Sequence, residues 1–319
     1  MIKAQFEKHI LKFKIPAGTS RGTLQDRPIW IIKVWDEGQP QIIGIGECAP
    51  LVKLSIDDRP DFESKLSEIC ANISHFESMD KDALLDFPSI RFGLEMAFLD
   101  LKHGGIRQYF GNEISPTIPI NGLIWMGDFD FMKKQIDQKL SEDWKCIKIK
   151  IGAIDFDKEL KLLEYIRTQS KEVELRVDAN GAFNMENVYD KLQQLSVFDL
   201  HSIEQPIATK QWDDLRMVCQ KSPIPVGLDE ELIGIYNQKK VELLEAIKPQ
   251  YIVLKPTLLG GFDLTLEWIE LAEKRNIGWW ITSTLESNIG LNALTQYTAQ
   301  FNTKMFQGLG TGMLFENNL

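Results

Sequence analysis

The sequence predicts an α/β protein, a (β/α)8-type barrel with an N-terminal α+β capping domain, on three observations. Beyond residue 117, short β-branched or aromatic runs alternate with helical ones. Five ionisable stations, Lys148-Ile149-Lys150, Asp178, Glu204, Asp229 and Lys255, recur 25 to 28 residues apart from Lys150 onward. That interval holds one strand, one helix and two short loops, the content of one βα unit. The first third has a different texture, with β-rich runs followed by helices and no such alternation.

In that first third, Ile29 to Trp35 and Gln41 to Glu47 are β-rich runs around the turn-like Asp36-Glu37-Gly38-Gln39-Pro40, which predicts antiparallel pairing. Asp61 to His75 and Ser89 to His103 carry apolar residues at helical spacing, Leu94, Phe98 and Leu101 among them. Gly111 to Pro116 reads as a boundary, dividing a capping domain over residues 1–112 from a barrel and tail over 113–319. Eight strands are expected after it, at Thr117–Ile120, Cys146–Lys150, Glu174–Asp178, Ser202–Glu204, Val226–Asp229, Tyr251–Lys255, Trp279–Ser283 and Met305–Leu309. Amphipathic helices lie between them, such as Asp157–Thr168 with Leu160, Leu163 and Ile166 on one side, and Gly261–Lys274 with Leu264, Trp268 and Leu271. An open doubly wound sheet is the alternative, but no GxGxxG follows the first strand.

A hydrophobic fraction of 44% and a charged fraction of 26% are those of a soluble globular chain with a sizeable core. The net charge of −10 offers no basic stripe, so no nucleic-acid partner is expected. The start, Met1 to Ile10, has neither a charged n-region nor an apolar h-region, and the run at Trp279-Trp280-Ile281 is too short to span a bilayer. Cys48, Cys70, Cys146 and Cys219 are scattered without a CxxC pair, which fits reduced thiols. A cytoplasmic protein with no membrane partner is therefore expected. Its oligomeric state is not legible.

The stations carry the functional reading. If each ends a parallel strand, three carboxylates and three lysines meet at the barrel mouth where βα loops build active sites. In Cys146 to Ile151 alternation puts Lys148 and Lys150 on one side of the strand and isoleucines on the other. On an edge strand they would be solvated surface lysines; a closed barrel has no edge, and a mouth holding carboxylates supplies partners. Asp178 alone also reads as a turn or cap residue, and Glu230 and Glu231 compete with Asp229. Pro206 stops the strand just after Glu204. Jointly, Asp178, Glu204 and Asp229 at the ends of consecutive strands repel unless a cation joins them, which favours Mg²⁺, with Mn²⁺ possible. Lys255 follows a run that looks buried on both faces, and it lies across from Lys150.

At these residues the chain resembles the enolase superfamily, in its branch with a Lys-x-Lys on the second strand and a lysine on the sixth. The resemblance rests on Lys148-Ile149-Lys150, Asp178-Ala179-Asn180, Glu204-Gln205-Pro206, Leu228-Asp229-Glu230 and Lys255-Pro256, all in the family's order. Gly18-Thr19-Ser20-Arg21-Gly22, Gly46 to Leu51 and Arg91 to Glu95 extend it through the first domain. It implies Mg²⁺ on the acidic triad and a small-molecule carboxylate substrate, a succinyl-bearing cyclohexadiene, which loses water by β-elimination. Lys150 would be the catalytic base and Lys255 the cation opposite it. Lys148, Arg176, Ser20, Arg21 and Ser283 would contact substrate, the Gly18 to Gly22 loop acting as a lid. N-acylamino acid racemisation, epimerisation and cycloisomerisation on the same scaffold remain alternatives. So does a silent barrel that binds only a metal or anion. A glycosidase built on Glu204 and Asp229 would leave three lysines without a role. Dipeptide epimerases of the family usually carry an acid pair at the eighth strand, where Gln307 to Gly312 has none.

Overall fold

A computed structural model of the protein describes residues 1–19, 22–74, 81–111 and 117–319. Strands β1 (Ile2–Thr19), β2 (Gly22–Asp36) and β3 (Ile43–Cys48) form an antiparallel sheet in that order. The pairing of β2 with β3 was expected; β1 was not. Its charges, Lys3, Glu7, Lys8, Lys12 and Lys14, hide the alternation of an edge strand with one solvated face. The unbroken apolar run in β2 has a different cause. Trp30, Ile32 and Val34 pack on α1 (Phe62–Ala71) and α2 (Pro88–Lys102), whereas Ile29 and Ile31 on the other face join the core shared with the barrel. Both faces are covered, so no polar face shows.

The close approach of α2 to β3 depends on glycine. A Cβ on Gly46 would lie 1.8 Å from the carbonyl oxygen of Gly93, and one on Gly93 would lie 2.4 Å from Cys48 Sγ. The expected division at residues 112–113 falls outside the described residues. The C-terminal tail crosses back to β1, where Lys14 N donates to Leu314 O at 2.9 Å and Glu316 N to Lys12 O at 2.9 Å.

The second sheet is parallel, with seven strands in the order β10-β9-β8-β7-β6-β5-β4. They are β4 (Gly122–Ile124), β5 (Cys146–Lys150), β6 (Glu174–Asp178), β7 (Leu200–Glu204), β8 (Val226–Leu228), β9 (Tyr251–Leu254) and β10 (Gly278–Ile281). Helices α3 (Phe129–Ser141), α4 (Phe156–Gln169), α5 (Val188–Leu195), α6 (Trp212–Lys221) and α7 (Gln238–Ile247) follow successive strands. One turn, α8 (Pro256–Leu259), then α9 (Phe262–Glu273), succeeds β9, and α10 (Asn288–Thr298) succeeds β10. Three of the helices start where a side chain takes an orphan N–H: Asp128 accepts from Phe131 N, Asp155 from Lys158 N and Ser287 from Ile289 N. Their apolar stripes, such as Leu162, Leu163 and Ile166 of α4, are fully buried.

Two of the eight expected strands need correction. The first lies at Gly122–Ile124 and not at Thr117–Ile120, because Pro119 has no N–H for a ladder and offers only its carbonyl, to Gln307 N at 2.8 Å. The eighth is reduced to bridges, Ile120 with Gln307 and Thr282 with Gly308. Gly308 is pressed against Thr282, whose Oγ1 would lie 2.1 Å from an added Cβ. This short segment still joins β4 to β10 and closes the barrel. No helix among the described residues is long and apolar enough to cross a membrane.

The glycine contact makes a prediction. Gly46→Ala should destabilise the protein by about 1–3 kcal/mol or more through overpacking of α2 against β3. Denaturant unfolding measures this; an unchanged midpoint would show that α2 can retreat freely.

Candidate active site

Parallel register brings the stations into rows. Lys150 is paired with Asp178, and Asp178 with Glu204, at the C-terminal ends of β5, β6 and β7. Asp229 follows β8 directly and Lys255 follows β9. Three consecutive strands thus hold the acids, and the two flanking strands carry lysines on either side of them. Lys148 sits one layer deeper, in register with Arg176.

Asp178, Glu204 and Asp229 are at most 2% exposed, and one oxygen from each lies within 4.8 Å of the others. Lys148 Nζ donates to Glu204 Oε2 and stands 3.1 Å from Asp178 Oδ2. Lys150 Nζ reaches Asp178 Oδ2 at 3.2 Å and Asn180 Oδ1 at 2.8 Å. On the far side Lys255 Nζ donates to Asp229 Oδ2 at 2.5 Å. The three carboxylates and three ammonium groups cancel. Glu204 Oε1 and Asp229 Oδ1 nevertheless have no hydrogen-bond partner though buried. Convergent hard oxygens with spare acceptor capacity fit a divalent cation.

Burial and charge compete at each group. Desolvation dominates at Glu204, whose carboxyl is pushed up to about 7, with the neighbouring carboxylates adding to burial and Lys148 opposing it. Asp229 is raised for the same first reason. At Asp178 burial acts upward too, but Lys148, Lys150 and Lys255 together hold it well below the carboxylate range. Burial pulls Lys148 and Lys255 down, and the carboxylates around them outweigh it, so both stay above the ordinary lysine value.

Supporting residues fix these positions. Gln205, fully buried and left-handed at φ 37°, accepts from Asp229 N at 3.2 Å and Glu231 N at 3.3 Å while donating to Ile207 O. Glu231 accepts from Trp212 Nε1 and Lys210 N, away from the triad. Glu230 accepts from Asn180 Nδ2 at 2.9 Å, which turns the Asn180 oxygen toward Lys150. Of the three neighbouring acids, Asp229 is the one the structure brings to Asp178 and Glu204.

Above the triad is a cavity of about 270 Å³. Lys148, Lys150 and Lys255 line it from the barrel, Ser283 from the end of β10, and Thr23, Leu51 and Lys53 from the first sheet and its following loop. Ser283 Oγ is 2.7 Å from Thr311 Oγ1. Arg176 is fully buried on β6, in register with Lys148, and is not among the residues that line the cavity. Its guanidinium binds Glu174 Oε1 at 2.8 Å and Phe306 O at 2.9 Å, and it stacks on Trp280. Two residues upstream of Asp178 on the same strand face is one layer too deep. Ser20 and Arg21 lie outside the described residues, although Gly22, Thr23 and Leu24 beside them reach the cavity. Sequence reasoning gave Asn180 and Lys53 no place in the wall and weighed Glu230 only as a rival ligand to Asp229; Asn180 had a signal, its place two residues after Asp178.

A family model described as "Enolase C-terminal domain-like" matches residues 132–314. The chain is 44% identical to o-succinylbenzoate synthase of Desulfotalea psychrophila, over 100% of this chain and 95% of the relative. It is 29% identical to the N-succinylamino acid racemase of Thermus thermophilus, over 88% of this chain and 77% of that one. The crystal structure of MenC from Desulfotalea psychrophila superimposes with a TM-score of 0.86 at 41% identity, covering 100% of this chain and 96% of that chain.

Proton and metal should compete for Glu204. With its carboxyl near 7, lowering the pH from 8 to 6 is predicted to weaken divalent-ion binding about tenfold. Calorimetric titration with Mg²⁺ or Mn²⁺ at the two pH values reads this. Equal affinities would rule out Glu204 as a titrating ligand.

Proposed function

The chain belongs to the enolase superfamily, and from that membership we propose that it dehydrates 2-succinyl-6-hydroxy-2,4-cyclohexadiene-1-carboxylate to 2-succinylbenzoate, the o-succinylbenzoate synthase reaction of menaquinone biosynthesis. The whole-length relationship at 44% identity to an o-succinylbenzoate synthase carries the choice of substrate. The lysines on both sides of the acidic triad support the reaction class. Residues 1–112 would cover the site and 113–319 would hold it. Four free cysteines, three of them buried, support a cytoplasmic setting for the enzyme.

Mg²⁺, or Mn²⁺ in its place, would be held by Asp178, Glu204 and Asp229 and would supply positive charge to the ring carboxylate as its α-proton leaves. Lys150 takes that proton. Its Nζ is aimed by Asn180 Oδ1, itself held by Glu230. The C–H electrons pass toward the carboxylate, forming an enediolate. As the ring C–O bond breaks, the departing hydroxyl takes the proton from the Lys150 ammonium, and the ring becomes aromatic. One water is released and no electrons are gained or lost overall. Lys255 stays an ammonium, paired with Asp229, and stabilises the enediolate across the ring from Lys150. Lys148 balances the triad, and Ser283 offers a hydroxyl to the substrate.

Two lysines flanking one carbon also favour a second reading, racemisation of N-succinyl amino acids, the activity named for the Thermus thermophilus relative. The closing segment presents Gly308, Gly310 and Thr311 to the cavity and no carboxylate for a free ammonium, which argues against dipeptide substrates.

Purified protein with Mg²⁺ should aromatise the cyclohexadiene substrate, followed by ultraviolet absorbance. Chelation should abolish turnover reversibly, and Lys150→Ala should lower kcat by about 10³-fold or more. No product from the intact, metal-loaded protein would sink the assignment. Incubation with N-succinyl amino acids in heavy water is expected to exchange the α-hydrogen only if the second activity exists, and mass spectrometry decides it.

A further inference from the structure

The substrate proposed above is a dianion, and its second carboxylate, at the end of the succinyl arm, also needs a counter-charge. Among the described residues four cations line the cavity: Lys53, Lys148, Lys150 and Lys255. The last three are committed to the acidic triad. Lys53 makes no ion pair among the described residues. It stands exposed on the loop after β3, on the capping side of the cavity, where an arm extending away from the reacting carbon would end.

The loop that carries it is built to hold this position. Lys53 is left-handed at φ 63°, a conformation that a residue with a Cβ adopts at a cost and glycine would adopt more easily. Asp58 Oδ2 accepts its backbone N–H at 2.7 Å, leaving the ammonium unused. Leu54 N and Ser55 N both donate to Leu51 O, and Ser55 Oγ accepts from Leu51 N at 2.7 Å, closing a tight turn around it. Asp57, buried, then ties the loop to the start of α2, accepting from Ser89 N at 2.8 Å and Ser89 Oγ at 2.6 Å.

We propose that Lys53 is a specificity-determining residue that binds the distal carboxylate of an aryl dicarboxylate, the end of the succinyl arm, while the triad's metal side takes the ring carboxylate. This rests on the synthase reading for the identity of the ligand. Charge-assisted pairing becomes stronger once the ligand fills the cavity and displaces water.

The test compares two probes with the Mg²⁺-loaded protein, 2-succinylbenzoate, which has both carboxylates, and benzoate, which has only the first. Lys53→Met should weaken 2-succinylbenzoate about tenfold and leave benzoate within twofold. KM for the cyclohexadiene substrate should rise by a similar factor with kcat within threefold, and Lys53→Arg should recover most of the loss. Affinity of the native protein for 2-succinylbenzoate should also fall more steeply with added salt than that of Lys53→Met. Equal weakening of both probes, no weakening of either, or failure of the native protein to bind 2-succinylbenzoate would each overturn the subsite. If binding is Lys53-dependent but no dehydration occurs, the subsite stands for aryl dicarboxylates and the synthase assignment fails alone.

Discussion

Three carboxylates taken out of water within 4.8 Å of one another are the constraint on which the site depends. Each is disfavoured by burial and by its neighbours, and removing compensation from any one would leave an unpaired buried charge. The barrel answers with lysines from the strands on either side and from the layer below. The same three ammonium groups that make the acids tolerable stand where proton chemistry needs them. Structural and catalytic demands therefore select the same residues, and the compensating charges must shift when a cation enters.

That cluster needs its strand ends held rigidly, and the first domain contributes directly. Helix α2 meets the loop after Lys255 at two points: Arg91 donates to Gly260 O, and Glu95 Oε2 accepts from Phe262 N at 2.5 Å. Gly261, at φ 106°, lets that loop pass against Glu95. Glu47, at the end of β3, accepts from Ser287 N, Ser287 Oγ and Gly290 N at the start of α10. The short stretches around Glu47 and Arg91 that carried a resemblance in the sequence are thus joints between the two sheets. They bear on the segments that follow Lys255 and Ser283, so the first domain is tied directly to two of the elements that form the cavity.

The parallel barrel was legible because its period is imposed by geometry: every strand ends on the same side, so functional groups at strand ends share a spacing. Lys150, Asp178, Glu204, Asp229 and Lys255 were found this way. Arg176, expected at the substrate, lies away from the cavity lining, because spacing says which face a side chain takes and not how deep it lies. The edge strand β1 escaped notice because its charges sit on a solvated face and hide the alternation, although its partner β2 follows directly in the chain. The closing segment near Gln307 reads as a strand in the sequence, but residue pattern alone does not show that its ladder is cut to isolated bridges. Asn180, Glu230 and Lys53 act through contacts made by loops, and loops have no period from which to infer a partner.

This difference between strand and loop also separates reaction from substrate. The triad and its lysines are fixed by the barrel and can serve any carboxylate whose α-proton must leave, whether water then departs or a proton returns to the other face. Neither Lys150 nor Lys255 distinguishes those outcomes by position alone. What differs between them is the opposite wall, where Leu51, Lys53 and Thr23 come from the first domain and Ser283 and Thr311 from the last two barrel loops. A wall with an ammonium that makes no ion pair among the described residues suits an anionic arm, and the closing segment brings no carboxylate to a free ammonium, the acids that line the cavity being Asp178 and Glu230. Selection for a succinyl-bearing substrate is therefore placed in the residues that the barrel's period does not reach.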